Sequence, residues 1–298
     1  MRAISAPAAA AAAGIRGGRR RGVVRGRLFY AFLLFSVAVG FVALAALLFD
    51  VFRNGAGQLG SQLLTNPPSS SPERAGARPA ILATLYLGLL LLAFTVPIGV
   101  GTAVYLEEYA RKDRWYNRLL ELNIQNLAAV PSIVYGILGL AFLVRGIGLG
   151  RVLLAGALIL TLLVLPTIII ASREAIRSVP DSIRQGAYAL GATKWQVVWR
   201  QVLPAALPGI ATGSILSLSR AIGETAPLIL VGALTYVAFN PTLLGPFTAL
   251  PIQIYQWTAR PQDEFKLLAA GGIIVLLAML LSLNAVAIWL RNRYQRKW

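Results

Sequence analysis

The chain has 298 residues, of which 57% are hydrophobic and only 13% are charged, and its formal net charge is +17. This composition excludes an ordinary soluble domain and indicates a protein with several membrane spans. Cys and His are absent from the sequence, which excludes disulfides, thiol chemistry and the usual zinc ligands, and removes the commonest general base.

The basic residues flank apolar segments, whereas a nucleic-acid-binding protein clusters them on a polar face, so we expect no nucleic-acid partner. None of the four lysines follows a glycine. The phosphate-binding loop G-x-x-x-x-G-K-[ST] is therefore absent, and ATP hydrolysis is not expected of this chain. The sequence also lacks a nucleophile-base arrangement and a metal-ligand cluster. We expect no catalytic residue, no metal and no cofactor.

The apolar runs predict an all-α polytopic membrane protein with six transmembrane helices. Residues 1–27 are rich in Ala, Gly and Arg and predict a disordered basic cytoplasmic tail that touches anionic lipid. Residues 28–49 are an apolar run of 22 residues. This run exceeds the apolar core of a signal peptide, so a retained first span is favoured over a cleaved signal. Residues 50–79 are rich in Gly, Ser and Pro and predict an exposed exterior linker.

A core with the other five spans is predicted over residues 80–290, followed by a cytoplasmic tail at 291–298. The third span is interrupted by Pro131, and the fifth begins at Pro208. Between the last two spans, Phe247, Leu250, Ile254 and Trp257 recur at helical spacing, which predicts a short helix lying in the membrane interface. The second, third, fourth and sixth spans are predicted at residues 80–106, 127–144, 152–171 and 266–290.

The distribution of Lys and Arg predicts the orientation. With the N-terminus inside, the cytoplasmic pieces hold 7 basic residues in 1–27, 4 in 107–123, 5 in 172–208 and 4 in 291–298, whereas the exterior pieces hold 6. Because basic residues are enriched in cytoplasmic loops, both termini and residues 172–208 are predicted to be cytoplasmic.

Residues 172–208, called the coupling loop below, carry a helical pattern of their own. The start signal Ser178-Val179-Pro180-Asp181 opens a first short helix, Gly191 ends it, and Thr193 caps a second helix. In that second helix Trp195, Val198, Trp199 and Val202 lie on one apolar face, before Leu203-Pro204 ends it. The pattern fits either an interfacial helix anchored in lipid or a knob that enters a groove on a soluble partner.

The fifth span carries two opposite charges, Arg220 and Glu224. A charge at the bilayer centre costs about 2.5–3.5 kcal/mol, so neither side chain is expected to face lipid. The pair either fixes helix packing or marks a pathway, in which Arg220 meets an anion and Glu224 competes for it. Gly223 and Pro227 predict a bend here. The predicted pathway residues are Ser217, Arg220, Glu224 and Thr225, of which the first three lie on one helical face with Gly213 and Val231.

The coupling loop resembles a motif of bacterial ABC importer permeases, written E-A-A, three residues, Gly, nine residues, I-x-L-P. Gln185-Gly186-Ala187 takes the E-A-A place, Gly191 is the glycine, and Gln201-Val202-Leu203-Pro204 closes the motif. Gln replaces both Glu and Ile, and Gly replaces the first Ala, while the spacing is intact. The resemblance implies that Ala187, Gly191, Thr193, Trp195, Leu203 and Pro204 couple the chain to an ATPase.

Four further blocks resemble the permeases of the phosphate-specific importer: VPSIVYG (130–136), ALGATKWQVV (189–198), SRAIGETAPL (219–228) and LPIQIYQW (250–257). GET followed by APL is similar to the PstA branch of that family rather than to the PstC branch. The resemblance covers residues 80–290. It implies a pore shared with the second permease subunit PstC, two copies of the ATPase PstB, and the phosphate-binding protein PstS outside the inner membrane.

Three alternatives remain beside an ATP-driven phosphate permease. The first is a permease for another oxyanion (sulfate, molybdate or phosphonate), because one Arg in a pathway does not distinguish these anions. The second is a carrier driven by an ion gradient, which the coupling loop and the absence of a detectable internal repeat disfavour. The third is an enzyme, which the missing catalytic arrangement disfavours most.

Overall fold

The computed structural model describes residues 6–111, 113–233 and 237–294. Over these residues the secondary structure is entirely helical, which confirms the all-α prediction. Five helices are long and apolar enough to cross a membrane, and a sixth span is present if one bent pair counts as a span. The helices are α1 Ala6–Gly55, α2 Ser61–Thr65, α3 Arg78–Val104, α4 Trp115–Ala128, α5 Ser132–Gly139, α6 Leu153–Arg177, α7 Asp181–Ala189, α8 Lys194–Val197, α9 Leu203–Ile222, α10 Ala226–Val231, α11 Leu250–Thr258 and α12 Asp263–Tyr294.

The chain divides into two compact units, residues 1–53 and residues 54–298. Helix α1 forms the first unit, and its stretch from residue 25 onward is long and apolar enough to span a membrane. The sequence predicts disorder for residues 1–27, whereas the structure describes a helix from Ala6 onward. The run of alanines at residues 8–13 explains the difference, since Ala has the highest helix propensity. Residues 1–5 and 295–298, parts of the two predicted tails, lie outside the described residues.

Residues 54–79, most of the segment predicted as an exposed linker, are part of the second unit. They contain α2 and two short 3-10 turns, at Ala56–Gln58 and Pro72–Arg74. Leu63 is buried in a cluster with Ala75, Trp257 and Phe265. Burial of this apolar surface provides free energy that orders a Gly, Ser and Pro-rich segment. Most residues of the segment are exposed, while Leu63 and residues 75–77 anchor it.

Helices α3, α6 and α9 form the centre of the second unit and share a core of buried apolar side chains. Glycines bring α9 very close to α6. A Cβ atom placed on Gly209 or Gly213 would lie 2.7 or 2.4 Å from the Cβ atoms of Ala175 and Ala171, respectively. Small residues at a helix crossing permit this backbone approach in membrane proteins.

Two spans are broken. Helices α4 and α5 meet at an angle of 104°, so the predicted third span is a bent pair. Pro131 lies at the break, where it cannot donate a helical hydrogen bond. In the fifth span α9 ends at Ile222 and α10 begins at Ala226. The two half-helices beyond the breaks pack together, since a Cβ on Gly136 of α5 would lie 2.8 Å from the Cα of Pro227 in α10.

Helix α11 confirms the helical spacing around Leu250 but not its predicted place. Phe247, Leu250 and Trp257 are buried inside the protein, each at most 1% exposed. The prediction of a helix lying in the membrane interface is therefore wrong. The same apolar face that would bind lipid packs instead against α12 and the α2 segment.

Candidate functional site

Arg220 lies in the last turn of α9, and Glu224 follows in the break between α9 and α10. Arg220 Nε and Glu224 Oε1 are 3.7 Å apart, and the two side chains are 78% and 20% exposed in the single chain. The guanidinium is therefore attracted to the carboxylate while most of its surface remains open. This geometry differs from a buried structural ion pair, in which both charges are enclosed and hydrogen-bonded.

The breaks of the third and fifth spans face one cavity of about 40 Å³. Of the four predicted pathway residues, the structure brings three to this cavity and leaves Thr225 outside its lining. The predicted face through Gly213, Glu224 and Val231 is not one continuous helical face, because α9 ends at Ile222 and α10 begins only at Ala226. The cavity is lined by Ala128, Val130, Ser132, Leu163, Val164, Thr167, Ser217, Arg220, Ala221 and Glu224.

The cavity combines one open positive charge with one competing carboxylate and three hydroxyl side chains. Ser132 and Thr167 belong to it, although the sequence did not single them out. Ser132 follows Pro131, and Thr167 follows Pro166. A proline directly before a hydroxyl residue within a span is the sequence pattern that identifies these two residues. Hydroxyl groups and an arginine are suitable hydrogen-bond donors for an oxyanion.

Much of the coupling loop belongs to the long helices. Helix α6 continues to Arg177, and α8, a π-helical turn at Val198–Val202 and α9 run as one continuous helix. Only residues 178–193 lie outside, with α7 beginning at Asp181 as predicted. The expected helix end at Leu203-Pro204 is wrong. Pro204 lies in the first turn of α9, and the π turn before it accommodates the change in hydrogen bonding.

Gly191 and Thr193 have the local roles that the sequence predicts. Gly191 has φ +80°, the left-handed region that favours glycine. Its N–H donates to the carbonyl of Tyr188, and the N–H of Ala192 donates to that of Ala187, which is the Schellman pattern at a helix end. Thr193 accepts from the backbone N–H of Gln196 and forms a capping box with it.

The turn at Gly191 leaves Leu190 90% exposed, more than any other large apolar side chain described. Ala187, by contrast, is partly buried and packs from α7 against a buried apolar cluster that includes Val179 and Val197. The Leu190 side chain is therefore open to contact with another molecule. The sequence analysis missed Leu190, although its position directly before a helix-ending glycine identifies it.

The predicted apolar face of the second helix is divided in two. Val198 and Val202 are fully buried, while Trp195 and Trp199 are 60% and 59% exposed and stack on each other at 5.5 Å. The tryptophans, together with Leu203 and Pro204, line a groove of about 870 Å³ against α3. The predicted coupling residues therefore form two groups: Ala187, Gly191 and Thr193 lie in the loop, and Trp195, Leu203 and Pro204 line the groove.

Comparison with known proteins shows which family shares this arrangement. The model of the family "Binding-protein-dependent transport system inner membrane component" matches residues 95–298. "Phosphate transport system permease protein PstA" of Haemophilus influenzae is 32% identical over 262 residues, covering 88% of this chain and 91% of that protein. "Probable ABC transporter permease protein YqgI" of Bacillus subtilis is 32% identical over 271 residues, covering 85% of this chain and 92% of that protein.

Solved structures have a similar fold at low sequence identity. A bacterial alginate ABC transporter, in complex with its alginate pentasaccharide-bound periplasmic protein, gives a TM-score of 0.65 at 20% identity, covering 93% of this chain and 98% of that chain. The MetNI methionine ABC transporter in an inward-facing conformation gives 0.57 at 19% identity, covering 72% and 92%. These likenesses support the fold alone.

Proposed function

Because this chain belongs to the family of binding-protein-dependent transport system inner membrane components, and is thus a multi-pass permease subunit of an ABC transporter, we propose that it conducts inorganic phosphate through the inner membrane at the expense of ATP hydrolysed by a partner. The observation that carries this proposal is the similarity to permeases named PstA over 88% of the chain. The YqgI relative, whose name gives no substrate, makes a direct test of specificity necessary.

Arg220 is the residue proposed to meet phosphate. It is open on one side, it lies at the break of a span, and it faces Ser132, Thr167 and Ser217 in one cavity. Glu224, at 3.7 Å, competes for the guanidinium, so the anion binds briefly and is released. Thr225, which the cavity does not include, follows Glu224 directly and moves with it when the break bends.

The coupling loop is proposed to bind the ATPase through its tip. Leu190 offers an apolar side chain that is 90% exposed, and burial of a Leu side chain contributes about 1.5–3 kcal/mol. Gly191 and Thr193 set the direction of the chain at this tip. By family resemblance we propose PstC as second permease subunit, two copies of PstB as ATPase and PstS as binding protein; the stacked tryptophans contact membrane lipid or the ATPase.

The orientation that follows from the basic residues is testable, since the chain has no native cysteine. Ser182 on α7 and Ser70 in the segment before α3 are both exposed. With α7 in the cytoplasm, Ser182→Cys resists an impermeant thiol reagent added to intact cells, whereas Ser70→Cys is labelled. Permeabilised cells, in which both residues react, are the control. Labelling of Ser182→Cys in intact cells contradicts the proposed orientation.

The substrate assignment is tested with the complete complex in proteoliposomes. We expect uptake of radiolabelled phosphate that requires ATP inside and the binding protein outside, and that persists when ionophores abolish ion gradients. A hundredfold excess of sulfate or molybdate leaves uptake unchanged if the pathway is phosphate-specific. Uptake of one of these anions in place of phosphate refutes the substrate, and uptake driven by an ion gradient without ATP refutes the mechanism.

A further inference from the structure

Two adjacent glutamates lie in a π-helical turn, Tyr105–Tyr109, that continues the end of α3. Glu107 accepts a hydrogen bond from Arg173 Nε at 2.7 Å and forms an ion pair with Arg177 Nη2 at 2.9 Å. The side chains of Glu107 and Arg173 are 4% and 7% exposed. Both arginines belong to α6, so Glu107 joins the end of one span to the end of another.

Glu108 joins the same turn to a different element. Its Oε1 accepts hydrogen bonds from Arg184 Nη2 at 2.9 Å and from Arg184 Nε at 3.1 Å, and the two side chains are 7% and 16% exposed. Arg184 lies on α7 within the coupling loop. The two glutamates therefore hold α6 and α7 to the end of α3 in different directions.

Arg184 also fixes the corner between α6 and α7. Its Nη2 donates to the carbonyl of Ile176 at 3.0 Å, and its Nη1 donates to the carbonyl of Val179 at 2.6 Å. Ile176 is among the last residues of α6, whose final carbonyls have no partner within the helix. The Arg184 guanidinium thus binds the end of α6, the corner between α6 and α7, and the π-helical turn that follows α3.

The position of Leu190 gives these contacts a consequence. Helix α7 ends directly before Leu190, the residue proposed to contact the ATPase. The other charged residue of α7 is Asp181. Its side chain is 84% exposed and pairs with Arg184 itself at 3.2 Å. The enclosed charge contact between α7 and a span therefore runs through Glu108.

We propose that Glu108 and Arg184 are the positioning residues that pass movement of the coupling loop to the second span. With the pair intact, a displacement of α7 by the ATPase carries the end of α3 with it. Without the pair, α7 moves against α3, and ATP is hydrolysed without transport. This inference rests on the proposed function, because it takes the loop to be the contact with the ATPase.

The test uses the complete reconstituted complex and the variants Arg184→Gln, Glu108→Gln and the double change. We expect each single variant to lower the number of phosphate ions transported per ATP hydrolysed by about tenfold, with the ATPase still bound. The double variant loses no more than the worse single variant, because both changes remove one contact. Glu174→Gln is the matched control, since it removes an ion pair with Arg177 in which Glu174 is 67% exposed. The control is expected to keep the parental ratio.

A second measurement needs no transported substrate. Spin labels on Ser182→Cys of α7 and Ile98→Cys of α3 report the distance between the two helices with and without ATP; both side chains are exposed. We expect the distance to stay constant in the parent and to shift or broaden with ATP in Arg184→Gln. If the parent transports no phosphate, only the substrate assignment fails, and this distance still decides the role of the pair.

Three outcomes overturn the proposal. An unchanged ratio of phosphate to ATP in both single variants is the first. The second is a distance between the two labels that stays constant on addition of ATP in Arg184→Gln, as it does in the parent. The third is failure of Arg184→Gln, Glu108→Gln and the conservative Arg184→Lys to assemble with the ATPase, which assigns the pair to folding alone.

Discussion

Phosphate uptake is expected to fall by one to two orders of magnitude in Arg220→Gln, while the complex still assembles. This loss corresponds to the roughly 1.5–3 kcal/mol of a hydrogen bond to a charged group. Folding is little affected, because the Arg220 side chain is 78% exposed and 3.7 Å from its only described acidic neighbour. The measurement is ATP-dependent uptake of labelled phosphate in proteoliposomes, with the amount of assembled complex determined on the same samples.

Arg173→Gln is the contrasting variant for this prediction, because it removes an arginine that is buried and structural. Arg173 is 7% exposed and is hydrogen-bonded to Glu107 at 2.7 Å and to Glu121 at 2.6 Å. Removing it takes from the buried Glu107 one of its two arginine partners, the other being Arg177 at 2.9 Å, so we expect a folded subunit that is less stable than Arg220→Gln. The double change Arg220→Gln with Glu224→Gln decides between the two roles. Normal transport by an assembled double variant shows that the pair is structural, whereas an assembled but inactive one supports the pathway.

The second large effect is expected at the loop tip. Gly191→Val places a β-branched residue at φ +80°, where an ordinary side chain costs about 1–2 kcal/mol and a branched one more. No atom lies within 4 Å of the added Cβ, so the strain comes from the backbone and not from a clash. The loop relieves the strain by changing direction, which displaces Leu190. We expect co-purification of the ATPase and transport to fall together by at least tenfold.

Gly191→Asn separates backbone strain from loss of the glycine itself. Asn tolerates the left-handed region, so this variant is expected to retain most ATPase binding. Gly186→Ala, in the ordinary helical backbone of α7, is a second control, and no atom lies within 4 Å of its added Cβ. If the Gly191→Val complex keeps the ATPase and full transport, then residues 190 and 191 do not form the contact, and the tryptophan groove becomes the candidate surface.

Local rules predicted the local features of this fold. The apolar runs gave the spans, the charged Asp181 after Pro180 gave the start of α7, and Gly191 and Thr193 gave the helix end and cap. These features depend on a few consecutive residues, through helix propensity, capping and the freedom of glycine. Arg220 and Glu224 were found by the cost of charge in an apolar run.

The failures concern features that depend on distant residues. Spacing around Trp257 indicated a helix with an apolar face, but periodicity does not tell whether lipid or protein covers that face. The ion pairs Glu107–Arg173 and Glu108–Arg184 join residues that are 66 and 76 positions apart in the sequence. No local sequence pattern therefore predicts them. The continuity of the helix across Pro204 was missed because a proline normally interrupts a helix, whereas the π-helical turn directly before Pro204 accommodates its missing N–H.

The glycine contact between α6 and α9 limits how this protein changes shape. With Gly213 against Ala171 and Gly209 against Ala175, neither helix slides past the other without backbone collision. Gly136 against Pro227 ties α5 to α10 in the same way. We therefore expect bending to be concentrated at the two breaks, residues 129–131 and 223–225, where the helical hydrogen bonds are interrupted. Arg220 lies beside one of these breaks.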